Sequence, residues 1–431
     1  MTRSRASQME TCLWQFWIDV GGTFTDCQAV DPEGNSYEIK ELSSGTVKSQ
    51  LRDVSKIPNR WFVDTNAGDD FWVGSSSPVI WGQHLFVTSC EPSSGELTLE
   101  CLDALSGKVR WSKFFKHEVY RVHGRNNFAS STPAVDENHI YLTYADPEHT
   151  MLVALDHDGN QKWQRDFGTW TSQHGFAASP MVYEDKVIVF NSQQSDRLKP
   201  GQKSGGSHVI AVDCETGEDA WISSLTSTRA CYAVPSIFKG KNGTEQLVSC
   251  NTGDGFFSLN PDTGKQNWAT LPFRMRTVAS TLTADGLIIG SNGSGGGGNY
   301  LVAIRPGNEP NSVPEKVYEL KKANYVPTPI AVNGKLYLFS DKGIGKCVEL
   351  QTGAPIWEER IAKGFSGSPI ATLSHVYIMD EVGNLLVLGT GNQFEQICKH
   401  SLGESTRATP AVAGNRLYLR TDSHLICVGD K

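Results

Sequence analysis

The 431-residue sequence predicts an all-β fold, an eight-bladed β-propeller of four-stranded antiparallel blades. Three observations carry that expectation. One strand pattern recurs about every 47 residues, a blade-sized period. A second pattern follows it, pairing an acidic-glycine turn with a tryptophan. The composition, with 42 Gly and 11 Trp, suits turn-rich β structure better than helices.

The first pattern is a small residue and a proline leading into a short alternating strand. It reads SSPVIWGQHLFVTS, STPAVDENHIYLTYA, ASPMVYEDKVIVFNS, AVPSIF, PTPIAVNGKLYLFSD, GSPIATLSHVYIMD and ATPAVAGNRLYLRTD. These copies place Pro78, Pro133, Pro180, Pro235, Pro329, Pro369 and Pro410. An eighth, STLTADGLIIGS, sets Leu282 at the proline place. The second pattern is CLDALSGKVRW, ALDHDGNQKW, AVDCETGEDAW, SLNPDTGKQNW and ELQTGAPIW, in which Asp and Gly reverse the chain and Trp begins the outgoing strand. Each unit therefore reads as four strands in one antiparallel sheet. Such a sheet cannot bury both faces alone, and radial stacking buries them. The fifth and seventh units lack the turn and its tryptophan. The last stops after three strands at residues 425–431, so Arg60-Trp61-Phe62-Val63 is expected to supply its fourth strand and close the ring over residues 58–430.

Charge and cysteine usage exclude several function classes. The formal charge is −8, with no basic run of five, so no nucleic-acid or anionic-membrane partner is expected. No run of 18 apolar residues predicts a membrane span. The segment after the first arginines contains Gln15 and Asp19, so no signal peptide is read. The ten cysteines are scattered without a C-x-x-C, which leaves no zinc ribbon or redox motif; single buried thiols are expected, and a Cys90–Cys101 bridge stays open.

The loops leading into the innermost strands are rich in cations and aromatics. They set His123, Arg125, His174, Arg229, Tyr232, Arg274, Arg276, Tyr325 and Arg407 around the channel mouth. On an acidic chain this collection points to an anionic small ligand or an acidic protein segment. The long loops 191–208 and 291–300 share that face. The G-G-G-G run in the second has no following helix and no G-K-S/T, so it is a rim loop and not a phosphate loop. No D-x-D-x-D-G loop predicts a metal site. No G-x-S-x-G elbow exists, and no catalytic residue is assigned.

The repeated A-x-D-x-x-T-G-x-x-x-W turn with its S/T-P-x-V strand resembles the propeller repeat of the pyrroloquinoline-quinone (PQQ) type, found in quinoprotein dehydrogenases and in outer-membrane assembly lipoproteins of the BamB kind. The resemblance covers about 370 residues. It implies either a non-catalytic scaffold or a PQQ- and calcium-dependent oxidoreductase of alcohols or sugars, and relatives that usually work outside the cytoplasm. The adjacent-cysteine pair and long insertions of those dehydrogenases are missing here. A monomeric binding scaffold without cofactor is the expectation, with PQQ plus Ca²⁺ as its alternative and Trp72 or Trp170 as the ring that would stack on the quinone.

Residues 14–46 differ from the propeller pattern. The string IDVGGTFTD resembles the phosphate-binding hairpin of the hydantoinase/5-oxoprolinase family, which implies phosphate contacts from Asp19, Gly21, Gly22, Thr23, Thr25 and Asp26. Nothing after residue 50 supplies the second lobe of an ATP-using enzyme. The expected division is thus a remnant and linker at 1–52 and a propeller at 53–431.

Overall fold

A computed structural model describes residues 74–429 except 199, 272 and 308, together with the backbone of strands at 15–21, 24–30, 36–42 and 59–64. Eight four-stranded antiparallel sheets form the propeller, as the repeat predicts. Blade 1 comprises Val79–Trp81, His84–Glu91, Glu96–Asp103 and Val109–Lys116 in sequence order, from the channel outward. Blades 2 to 7 repeat this order over residues 134–166, 181–225, 236–270, 282–321, 330–360 and 370–401. Blade 8 takes three strands from residues 411–429 and its outermost strand from Asn59–Asp64. That strand runs antiparallel to His424–Gly429 with Trp61 opposite Cys427, which is the closure the sequence predicts. Among the described residues no helix is long and apolar enough to cross a membrane.

The alternation of each strand fills the seams between blades. In the second strand of blade 2, Ile140, Leu142 and Tyr144 pack toward blade 1, while Tyr141 packs toward blade 3. In every blade the ladder slips by one residue between the third and outermost strands, a bulge that adds twist where the sheet is widest.

The turn motif is a staple between neighbouring blades. Asp213 Oδ1 accepts the amides of Glu215 and Thr216 and the Thr216 hydroxyl, which closes the turn. Gly217 has φ +71°, and a Cβ there would lie 2.6 Å from the Trp163 ring of the preceding blade. Trp163 Nε1 then donates to Cys214 O at 2.9 Å. Trp111 and Trp221 donate in the same way to His157 O and Pro261 O. In blade 5, Tyr318 occupies the tryptophan place opposite Ala303, and its hydroxyl donates to Leu350 O at 2.9 Å. Where the next turn is degenerate the staple changes. Trp268 donates to Gln246 Oε1 instead, and Trp357 Nε1 has no partner among the described residues.

A second set of stitches runs around the channel. The residue before six of the seven motif prolines accepts the backbone N–H of its counterpart in the preceding blade: Thr132 from Ser77, Ser179 from Thr132, Thr328 from Ser280, Ser368 from Thr328, Thr409 from Ser368 and Ser77 from Thr409. Val234 donates to Ser280 but has no hydroxyl to offer Ser179, so the ring has one gap. This ring corrects the reading of the eighth copy. Ser280 plays the part of the residue before proline and Leu282 opens the strand, so Thr281, not Leu282, stands at the proline place.

Cys90 and Cys101 are both buried free thiols on separate strands, so no bridge joins them. Burial pushes the Cys90 and Cys101 thiols up to about 11 and about 12, which keeps them protonated and inert.

Candidate functional site

Each loop that leads into a blade starts at the rim, beyond an outermost strand, and ends at the channel. Residues late in the loop therefore meet their counterparts from the other blades. The result is a cavity of about 400 Å³ at the channel mouth. His123 and Arg125 reach it from the loop before blade 2, His174 from the loop before blade 3, and Arg229 and Tyr232 from that before blade 4. Arg276, Tyr325 and Arg407 enter before blades 5, 6 and 8. The ninth candidate, Arg274, is not among them. It lies only four residues past the outermost strand of blade 4, still at outer radius, and lines a separate groove with Phe273, Met275 and Tyr300.

The deepest cation is Arg276, which is 8% exposed. A bridge to Gly293 fixes its backbone, and its Nε donates to Ala230 O at 2.6 Å. It forms no ion pair with any described residue. His174 and Tyr325 flank it. Burial, helped by the Arg276 charge and by His123, pulls the His174 pKa down to about 4, so this imidazole is neutral at pH 7. The His123 and His174 rings meet edge to face at 4.7 Å. Tyr232 is committed to the wall, donating to Gly175 O at 2.9 Å and meeting Ser172 Oγ at 2.8 Å. Nearer solvent, Arg125 lies 3.9 Å from Glu381, whose carboxylate also accepts from Ser366 Oγ at 2.6 Å. Arg407 reaches the Gly124 carbonyl only at 3.5 Å.

No Asp or Glu lines the cavity among the described residues, against four arginines and two histidines. Below the arginines lies a group that sequence reasoning passed over. Ser77, Thr132, Ser179, Thr328, Ser368 and Thr409, members of the inter-blade ring, turn toward the cavity. The S/T before six of the seven prolines was the available signal, since a hydroxyl retained at blade spacing lies at one radius around the channel.

The His174 environment predicts a pH dependence. Between the ordinary histidine pKa of about 6.5 and the folded value of about 4, the unfolded chain binds a proton that the native protein does not. Stability is therefore expected to fall as pH drops through that window. In urea titrations at pH 7, 6, 5 and 4, His174→Asn should show a shallower decline than the parent; parallel declines would show that His174 does not contribute.

The residues do not fit a quinone centre. PQQ chemistry needs a metal held by carboxylate and amide oxygens and a carboxylate base in reach of the substrate. The described lining supplies neither, and no group of three His, Cys, Asp or Glu side chains is placed to hold a metal among the described residues. Asp146 and Asp380 cap turns instead, and Asp254 accepts the backbone N–H and the hydroxyl of Thr226, just beyond blade 3. Trp170 is buried edge to face against Phe176 at 4.9 Å, away from the cavity, and Trp72 lies outside the described residues.

At the N-terminal segment, the strands 15–21, 24–30 and 36–42 form one antiparallel sheet, with Asp19 opposite Asp26 and Val20 opposite Thr25. Gly22 and Thr23, the centre of the proposed phosphate turn, lie outside the described residues.

Comparison with known proteins agrees with this architecture. No curated protein matches the chain. A europium-containing methanol dehydrogenase overlaps 80% of this chain and 86% of its own at 13% identity, with a TM-score of 0.47. A computationally designed protein, Ika8, aligns at 10% identity over 83% of this chain and 96% of its own, with a TM-score of 0.56. BamB from Moraxella catarrhalis aligns at 15% identity over 87% of this chain and 98% of its own, with a TM-score of 0.58. The family match begins at residue 58, so the oxoprolinase-like reading of residues 14–46 gains no support from it. Residues 58–234 match the family described as outer membrane protein assembly factor BamB, and the described propeller shares the fold of a solved BamB.

Proposed function

We propose that the protein is a non-catalytic binding scaffold whose channel mouth holds an anionic group of its partner. One observation carries the reading: four arginines and two histidines converge on a concave site with no carboxylate in its described lining, on a chain of net charge −8. A cationic funnel between low-dielectric walls concentrates field and attracts acidic ligands against the overall charge. The match of residues 58–234 to an assembly factor supports a partner that is a protein segment, and an acidic segment meets the chemistry of the mouth. The absence of a carboxylate, as base or as metal ligand, from the described lining disfavours the dehydrogenase reading.

The test is a fluorescence-anisotropy titration of the full chain with an oligo-glutamate peptide and a neutral oligo-serine control. The acidic peptide should bind with an affinity that falls as salt rises, and Arg125→Glu with Arg407→Glu should weaken it about tenfold or more through rim charge. Equal binding of both peptides, or no change in the double variant, would overturn the proposal.

A further inference from the structure

We infer that the floor of the channel mouth is a carboxylate subsite, in which Arg276 takes the two oxygens of one carboxylate and the inter-blade hydroxyls surround the rest of the ligand. The inference rests on the proposed binding role of the mouth and narrows it to one functional group.

Three observations converge on it. First, Arg276 is more than nine-tenths buried and lines the cavity, and its contacts with the protein are neutral: its Nε donates to Ala230 O and its guanidinium meets the Tyr325 hydroxyl. Its two Nη groups have no carboxylate among the described residues. A buried cation without a counter-charge is costly, and an anion entering the cavity relieves that cost. The planar fork of a guanidinium matches the two oxygens of a carboxylate.

Second, the polar groups below the arginines are arranged as donors. Each of the six lining hydroxyls accepts a backbone N–H from its neighbouring blade. One lone pair on each oxygen is thereby occupied, and the hydroxyl proton is left to donate. Such a surface selects a ligand rich in acceptors.

Third, of the four arginines that line the cavity only Arg276 is buried, so the buried positive charge is single. His174 is neutral at pH 7, and the Tyr232 hydroxyl is already spent on Gly175 O. One guanidinium balances a monoanion, whereas a phosphate dianion calls for more positive charge than the floor holds. The volume of about 400 Å³ suits a compact ligand or the end of a chain, not a folded surface. The carboxylate can come from a free organic acid or from the C-terminus of an extended peptide.

The experiment uses the full chain with three probes: acetate, inorganic phosphate, and an oligo-glutamate peptide with either a free or an amidated C-terminus. Binding is read from the NMR titration of the His174 ring, which lies beside Arg276, and from the thermal midpoint. A carboxylate at the floor should raise the His174 pKa above about 4, and acetate should do so at lower concentration than phosphate. Arg276→Met should weaken acetate binding about tenfold or more, and Arg276→Lys, which keeps the charge but loses the fork, should fall between. The wild-type His174 readout stands even if either variant fails to fold. Free-acid peptide binding tightly and amidated peptide weakly identifies a chain terminus; acetate alone moving His174 identifies a free acid. Phosphate binding as well as acetate, or an unmoved His174 at saturating acetate, overturns the inference. Peptide binding through Arg125 and Arg407 that ignores amidation and leaves His174 unmoved overturns this subsite while the binding scaffold stands. No binding of any probe overturns both.

Discussion

Deleting residues 1–66 is expected to lower the melting temperature by many degrees, while deleting residues 1–52 leaves it nearly unchanged. The strand Asn59–Asp64 is the outermost strand of blade 8, in register with His424–Gly429 from Val428 opposite Asn59 to His424 opposite Asp64. At about 1 kcal/mol per backbone hydrogen bond, a ladder of this length contributes about 5 kcal/mol, before any apolar burial is added. Its loss also leaves the edge of blade 8 open to pairing with another chain, so the longer truncation should aggregate as well as melt early. Both truncations remove the N-terminal sheet, so their difference isolates the closing strand. Scanning calorimetry of the two checks this, and equal midpoints would mean that the ring closes by other contacts.

Arg420→Ala is expected to cost about 2–5 kcal/mol, the range for truncating a large buried side chain. Arg420 stands in the second strand of blade 8 at 1% exposure, and its Nη1 donates to Ser76 O at 3.1 Å and Ser76 Oγ at 2.6 Å. Burial lowers its pKa to about 10, a sign of how fully it is desolvated. It ties blade 8 to the strand leading into blade 1, at the seam where the chain must close on itself. Alanine removes these bonds and opens a cavity, whereas Arg420→Met fills the volume and should cost less. Urea unfolding of the two variants gives the comparison. A cost below about 1 kcal/mol for alanine would show that the seam does not rely on this side chain.

The repeat was legible because its residues answer to local geometry. Proline, the capping Asp and the turn Gly each satisfy a backbone requirement that recurs in most blades, and so they recur in sequence. The closing strand could be placed because Trp61 stands before Pro78 as the other tryptophans stand before their prolines. What escaped detection was function preserved through a different residue. Tyr318 replaces a tryptophan because its hydroxyl also reaches the next blade, at Leu350 O, and Thr281 replaces a proline at the mouth of blade 5. The candidate site was partly legible. Loop position put eight of the nine cations and aromatics at one cavity, but distance along the loop decides radius, which is why Arg274 stays outside. The hydroxyl floor was hidden because its residues look like strand-leading filler until the ring brings them to one radius.

The pairing of Val428 with Asn59 places the two ends of the propeller side by side on neighbouring strands. The order in which the chain visits the blades is thus separable from the order of the blades in space. A short loop from residue 429 to residue 59 would make the chain circular, and a cut in any exposed turn between blades would then give a rearranged linear sequence. Such a permutant would carry all four strands of blade 8 on one continuous stretch of chain, and its discontinuity would lie wherever the cut was made.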